Sequence, residues 1–345
     1  MLSYLAAEWF FRLAILPRPR AYFETSYFDL PHHRLIEQYS GIDLTIANHR
    51  RFVAHSQPRP HKIAFVGDSN TFGSGLADSQ VLANRLQASQ TLFDVVNYGV
   101  PGYGFFDYLA VINGQFQTGE FDLIFLTICQ NDVYPASAGN LALLTGTDER
   151  LVHFNDYDGS TYGVLKRLLF DHMKLLYFAL SSWIDILRQS GQPEDANERT
   201  ETAIHKESVD GALTLADLRE ASAVGSHAKT YRIQRNIYTD PEVTEKISEM
   251  LASLKDAAEA KGAKILFAPQ YDFLHYEISP DPFRSTYLKV FETCDCDYLD
   301  LFDVHAPHYR ETGYFVDPGH PGPRQILRTR DHLHEKLREM QQRSM

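Results

Sequence analysis

The sequence predicts an α/β protein, a parallel sheet covered by helices on both faces, and three observations carry that prediction. Short apolar runs rich in β-branched and aromatic residues recur at Ile63-Ala64-Phe65-Val66, Val95-Val96-Asn97-Tyr98 and Leu123-Ile124-Phe125-Leu126-Thr127-Ile128, each of a length suited to a buried strand. The first two end at Gly67 and Gly99, and stretches with helical spacing follow at about 79–88 and 105–116. Strands alternating with helices call for parallel neighbours joined by crossovers. The chain has 345 residues, 44% hydrophobic and 23% charged, enough to bury a large core, which excludes disordered, collagen-like and disulfide-scaffold classes.

Taken in order, residues 1–16 are mostly apolar but too short to span a bilayer, which needs about 20 apolar residues. Glu8 and Arg12 lie four apart in this run, the spacing of a surface ion pair on a helix, so a helix packed on the domain is expected there. Five prolines fall between residues 17 and 60, marking an irregular segment that wraps a core beginning near Lys62. Residues 1–60 are therefore read as an N-terminal helix and wrapping segment, and 61–345 as the main domain. From about 140 to 240 the alternation breaks into a largely helical insertion, whose polar part at 189–210 has too few apolar residues to bury. Thr239-Asp240-Pro241 starts a helix, with a capping residue before a proline at the first helical position, and Gly262 stops it after Lys261. Strands at 264–268 and 298–302 and an amphipathic helix at about 325–340 complete the pattern.

The formal charge of −12 and the lack of a clustered basic patch argue against a nucleic-acid partner. Cys129 sits in the third apolar run and is expected to be buried, while Cys294 and Cys296 are read as carrying no redox or metal function. The run at 1–16 has no basic leader or small-residue cleavage site. A cytoplasmic location is thus expected.

In parallel α/β sheets the loops at the carboxyl ends of the strands converge on the ligand crevice. Four such places stand out: Gly67-Asp68-Ser69-Asn70, Gly99-Val100-Pro101-Gly102-Tyr103-Gly104, Gln130-Asn131-Asp132 and Asp317-Pro318-Gly319-His320. Together they supply the parts of a nucleophilic acyl-transfer site. Ser69 is the candidate nucleophile and needs a base to take its proton as it attacks, a task suited to His320 near neutral pH. Asp317, three residues earlier, is placed to hold the imidazole tautomer. The backbone N–H groups of Ser69 and Gly102 and the side-chain amide of Asn131 are the candidate oxyanion donors. His305 and His308 are rival bases, and their spacing also suits a metal on a helix, but Pro307 between them and the lack of further ligands argue against that.

With these four blocks in this order, the sequence resembles the GDSL or SGNH esterase and lipase superfamily. The blocks are Gly-Asp-Ser at 67–69, Asn-Tyr-Gly-Val-Pro-Gly-Tyr-Gly at 97–104, Asn-Asp at 131–132 and Asp-x-x-His-Pro at 317–321. The resemblance covers about 62–135 and 263–340. It implies a three-layer α/β/α sandwich of the flavodoxin-like SGNH type, with Ser69, Asp317 and His320 as the triad and Ser69, Gly102 and Asn131 as the oxyanion hole. It implies no cofactor and no metal. Asn70 stands where the name-giving motif has leucine, and Gln130 replaces the glycine usual before the block asparagine. The segment 97–104 is most similar to members with an N-terminal membrane anchor, so a membrane-proximal site through 1–16 is the alternative location.

The function expected is a serine esterase that removes an O-acetyl or other short acyl group from a carbohydrate or small metabolite, through an acyl-enzyme on Ser69. A lipase, thioesterase or acyltransferase would use the same triad. A protein that binds acylated glycans without turnover is the rival from a different class.

Overall fold

The computed structural model describes residues 46–47, 50–51, 53, 59–134, 226–277 and 281–344. The helix expected within 1–16 and most of the expected insertion lie outside these residues. Two short strands, β1 (Ile46–Ala47) and β2 (Arg50–Arg51), pair antiparallel ahead of the main sheet. The first apolar run forms β3 (His61–Gly67), followed by the one-turn helix α1 (Ser69–Phe72). The helix expected at 79–88 divides into a 3₁₀ turn (Asp78–Gln80) and α2 (Leu82–Ser89). Then come β4 (Phe93–Gly99), α3 (Phe105–Gln115) and β5 (Leu123–Ile128). After the undescribed stretch the chain continues as α4 (Ser226–Thr239), α5 (Pro241–Ala260) and β6 (Lys264–Pro269). It ends with α6 (Phe273–Glu277), α7 (Pro282–Thr293), α8 (Phe302–His305), the hairpin β7 (Phe315–Asp317) and β8 (His320–Pro321), and α9 (Pro323–Ser344).

Strands β3 to β6 form one all-parallel sheet in the order β4-β3-β5-β6. Because side chains alternate across a strand, neighbouring residues enter different layers. Ala64 and Val66 of β3 pack with Ile124 and Leu126 against α3, α4, α5 and α7, whereas Ile63 and Phe65 pack with Leu123 and Phe125 against α2 and α9. The three-layer α/β/α arrangement follows. Chain order reverses at β3, whose successor β4 lies on one side and β5 on the other, so the carboxyl ends of β3 and β5 flank the switch point where ligands bind in such sheets.

Local rules account for the helix starts. Asp240 caps α5 by accepting from the Glu242 N–H at 2.9 Å, with Pro241 at the first position, and Gly262 ends it with φ 78°. Asp281-Pro282 repeats the same device at α7, where Asp281 accepts from Phe283 and Arg284. That helix was open to sequence reading by the rule applied at Asp240.

Two expectations are corrected. The strand expected at 298–302 is reduced to a single parallel bridge, Phe267 with Tyr298. The Asp300 carboxylate accepts from the Phe302 N–H at 3.0 Å and the Tyr271 hydroxyl at 2.8 Å, which turns the chain into α8 before a ladder can form. Cys294 and Cys296, read as without a role, are joined to each other by a disulfide. Cys129 is buried and free, as expected. Among the described residues no helix is long and apolar enough to cross a membrane.

Candidate active site

Strand β3 delivers Ser69 to the switch point. Beyond Gly67 the chain leaves the sheet at Asp68, whose Oδ1 accepts the Asn70 N–H at 2.9 Å and so caps α1. This leaves Ser69 as the first residue of the turn. Helix α1 is held from both sides. Buried Asn97 of β4 donates from Nδ2 to the Thr71 carbonyl at 2.9 Å and accepts the Gly99 N–H at 2.8 Å, and the Thr71 and Thr127 hydroxyls are in contact across the neighbouring strand. Gly99 must be glycine, since a Cβ there would collide with the backbone of Thr71 and Phe72.

The β7–β8 hairpin delivers the second group. Asp317 closes one strand and His320 opens the next, and the Gly319 N–H donates to Asp317 Oδ1 at 2.7 Å to hold the turn between them. His320 Nδ1 lies 2.7 Å from Asp317 Oδ2, and His320 Nε2 lies 2.9 Å from Ser69 Oγ. Three of the sequence-predicted residues thus stand in one hydrogen-bonded series, with the histidine and serine 251 residues apart in the chain. Burial pulls the His320 pKa down, but the adjacent Asp317 carboxylate, its hydrogen bond, and the charges of Asp68 and Asp272 outweigh this and raise it to about 9.

The other two candidates stand on the turns after the flanking strands. Val100-Pro101-Gly102-Tyr103 is closed by a bond from the Tyr103 N–H to the Val100 carbonyl at 3.1 Å, and Gly102 has φ 82°. Proline second and a left-handed glycine third are the marks of a type II turn, so Gly102 has a backbone reason to be glycine. After β5, Asp132 organises the loop that carries Asn131: its side chain accepts the Cys129 N–H at 2.8 Å and the Tyr108 hydroxyl at 2.9 Å. The Asn131 side chain is half-buried and meets no hydrogen-bond partner among the described residues.

Beneath Ser69 lies a buried cluster of Asp68, Cys129 and Asp132, whose ligand-type atoms are all within 4.8 Å of one another. The Cys129 thiol donates to Asp68 Oδ1 at 3.2 Å, and both Asp132 oxygens accept hydrogen bonds. The cluster is thus a hydrogen-bond network on its own terms. Burial first and the Asp68 charge second push both the Asp132 carboxyl and the Cys129 thiol well up.

The rival bases lie elsewhere. His305 is buried, with Nδ1 2.6 Å from the Tyr314 hydroxyl and Nε2 3.1 Å from Thr329 Oγ1, and burial lowers its pKa to about 3. His308 pairs with Glu311 at 2.5 Å. Sequence reasoning missed Asp272, which follows β6 and so occupies the same kind of position as the first three blocks. It accepts from Gln130 Nε2 at 2.8 Å and pairs with His275 at 2.7 Å, while the next residue, Phe273, donates its N–H to the Pro318 carbonyl of the histidine turn at 2.9 Å.

No protein-family model matches the chain, and no curated protein matches it either. Several solved structures are similar to it. The psychrotrophic esterase EstA from Pseudoalteromonas sp. is 12% identical, with a TM-score of 0.41 over 82% of this chain and 99% of that one. A member of the lipolytic protein G-D-S-L family from Veillonella parvula DSM 2008 is 13% identical, with a TM-score of 0.40 over 79% and 96%. The acetyl xylan esterase AlAXEase is 10% identical, with a TM-score of 0.42 over 80% and 98%. Likeness at this level carries no argument, so the functional reading rests on the side chains themselves.

Proposed function

We propose that the protein is a serine ester hydrolase of the SGNH type, acting on an O-acetyl or other short acyl ester of a carbohydrate or small metabolite. The observation that carries the reading is the series Asp317–His320–Ser69, with contacts of 2.7 and 2.9 Å. A protein that only bound an acylated glycan would have no need of all three groups within hydrogen-bond reach of one another.

In this reading Ser69 Oγ attacks the ester carbonyl as its proton passes to His320 Nε2, and Asp317 stabilises the imidazolium that forms. The negative charge on the former carbonyl oxygen is, in this reading, met by the Ser69 and Gly102 N–H groups and the Asn131 amide. His320 then protonates the departing alcohol. Water, deprotonated by the same nitrogen, attacks the acyl group on Ser69, and as the intermediate collapses Nε2 returns that proton to the departing Ser69 Oγ, releasing the carboxylic acid. Every proton moves through Nε2, so the scheme asks nothing of a cofactor.

The test is hydrolysis of p-nitrophenyl acetate, butyrate and octanoate by the protein and by Ser69→Ala. Turnover that falls with chain length and drops by at least about a thousandfold in the variant is expected. Absence of turnover, together with no labelling of Ser69 by a fluorophosphonate, would overturn the reading.

A further inference from the structure

Ser69 has one hydroxyl proton and two acceptors within reach. His320 Nε2 lies 2.9 Å from its oxygen, and Asp68 Oδ2 lies 3.3 Å away on another side. When the imidazole is neutral and Nδ1 carries its proton toward Asp317, Nε2 accepts from the serine. When the imidazole is charged, Nε2 also carries a proton and becomes a donor to Oγ. The serine proton must then point elsewhere. We infer that Asp68 is a second acceptor for the Ser69 hydroxyl proton, taking that hydrogen bond whenever His320 is charged and giving it up to Nε2 when the ring is neutral. The assignment rests on the esterase reading and adds a role for the buried aspartate beneath the nucleophile.

The geometry gives Asp68 this role. Its Oδ1 is occupied, accepting from the Asn70 N–H at 2.9 Å and the Cys129 thiol at 3.2 Å, which turns Oδ2 toward Ser69. Buried around it are Cys129, Asp132 and Tyr108, all three pushed toward their neutral forms by burial and neighbouring charge. The charged groups that bear on His320 are Asp317 on its own hairpin, Asp68 ahead of α1, and Asp272 ahead of α6. The consequence is a resting state that competes with the reactive one. Asp68 stabilises the arrangement in which His320 is protonated and Ser69 cannot pass it a proton, and so shifts the onset of reactivity to higher pH.

Asp68→Asn separates this role from capping, because asparagine caps a helix as well as aspartate does. Its Oδ1 keeps the Asn70 and Cys129 bonds, while Nδ2 presents a donor to Ser69 in place of an acceptor. Two midpoints are measured between pH 5 and 10.5: the rate of Ser69 labelling by a fluorophosphonate, and the His320 ring titration by NMR. Both are expected to fall by about one pH unit in Asp68→Asn, the size of shift expected on removing a nearby carboxylate. Both are expected to rise in Cys129→Ala, which strips a donor from Asp68 and strengthens it as an acceptor. The second variant decides the matter if the first does not fold. Midpoints that do not move from the parent's, or that move in the opposite directions, overturn the inference. The NMR arm needs no turnover, so a protein that is never labelled and hydrolyses no ester would sink the esterase reading while still testing Asp68.

Discussion

Asp317 makes His320 a stronger base than a free histidine. In the proposed esterase the imidazole must be neutral to accept the serine proton, so a ring pKa raised to about 9 is expected to set the midpoint of the acid limb of kcat/KM for short-chain esters. In Asp317→Asn this limb is expected to move down toward the ordinary histidine range, near pH 6.5, while the alkaline plateau falls by on the order of ten-thousandfold as the tautomer is lost. A pH–rate profile of both proteins checks it, and an unmoved limb would remove Asp317 from the site. The same pairing has a thermodynamic side. A histidine whose folded pKa lies above its unfolded value contributes stability that is complete below about pH 6.5 and is lost as pH rises through the folded value. Melting temperature against pH should therefore decline toward pH 9 in the parent, and this share of the decline should be absent from Asp317→Asn.

At the level of elements, the site is a meeting of turns whose spacing is kept by residues that do no chemistry. The Asn131 loop is fastened to α4 by the Tyr238 hydroxyl, which donates to the Gln130 carbonyl at 2.7 Å, and to the segment after β6 through Gln130 and Asp272. Gln130 stands where the family resemblance leads one to expect glycine; its backbone φ is not positive, so no glycine is required there, and its side chain adds the bond to Asp272. Asp272 in turn reaches the histidine turn through Phe273 and Pro318. Gln130→Gly is expected to lower kcat by about tenfold with little change in KM, since a loosened Asn131 amide weakens only the contact made to the developing oxyanion. Steady-state kinetics on p-nitrophenyl acetate would show it, and an effect confined to KM would count against Asn131 as an oxyanion donor.

Across the whole molecule, the segment ahead of the main sheet and the nucleophile turn share a buried charge. Arg51 of β2 has a fully buried side chain, with Nε 2.7 Å from Asp78 and Nη2 2.5 Å from the Leu76 carbonyl, and its guanidinium lies 5.1 Å from the Phe72 ring centre. It also reaches the carbonyl of Gly73, the residue that ends α1. Arg51→Met leaves Asp78 and these carbonyls without their donor, a loss of about 3 kcal/mol. Thermal unfolding should record it as a drop of roughly 4 °C, and an unchanged melting temperature would show that β2 does not brace the site. Much of this molecule was legible beforehand, for a physical reason. Strand runs at 63–66, 95–98 and 123–128, the Asp240-Pro241 start, the Val-Pro-Gly turn and the four motif blocks all obey rules of local composition and backbone sterics, which act within a few residues. Tertiary structure alone decided what depends on strand order and register: that the loop after β3 meets a hairpin 251 residues away, that Asp68 faces the same hydroxyl as His320, that Asp272 joins two loops, and that Arg51 lies under α1. It also decided against a fifth strand, because Asp300 satisfies nearby donors before the ladder can. Such contacts depend on which strands become neighbours, and residue spacing along the chain carries no record of that.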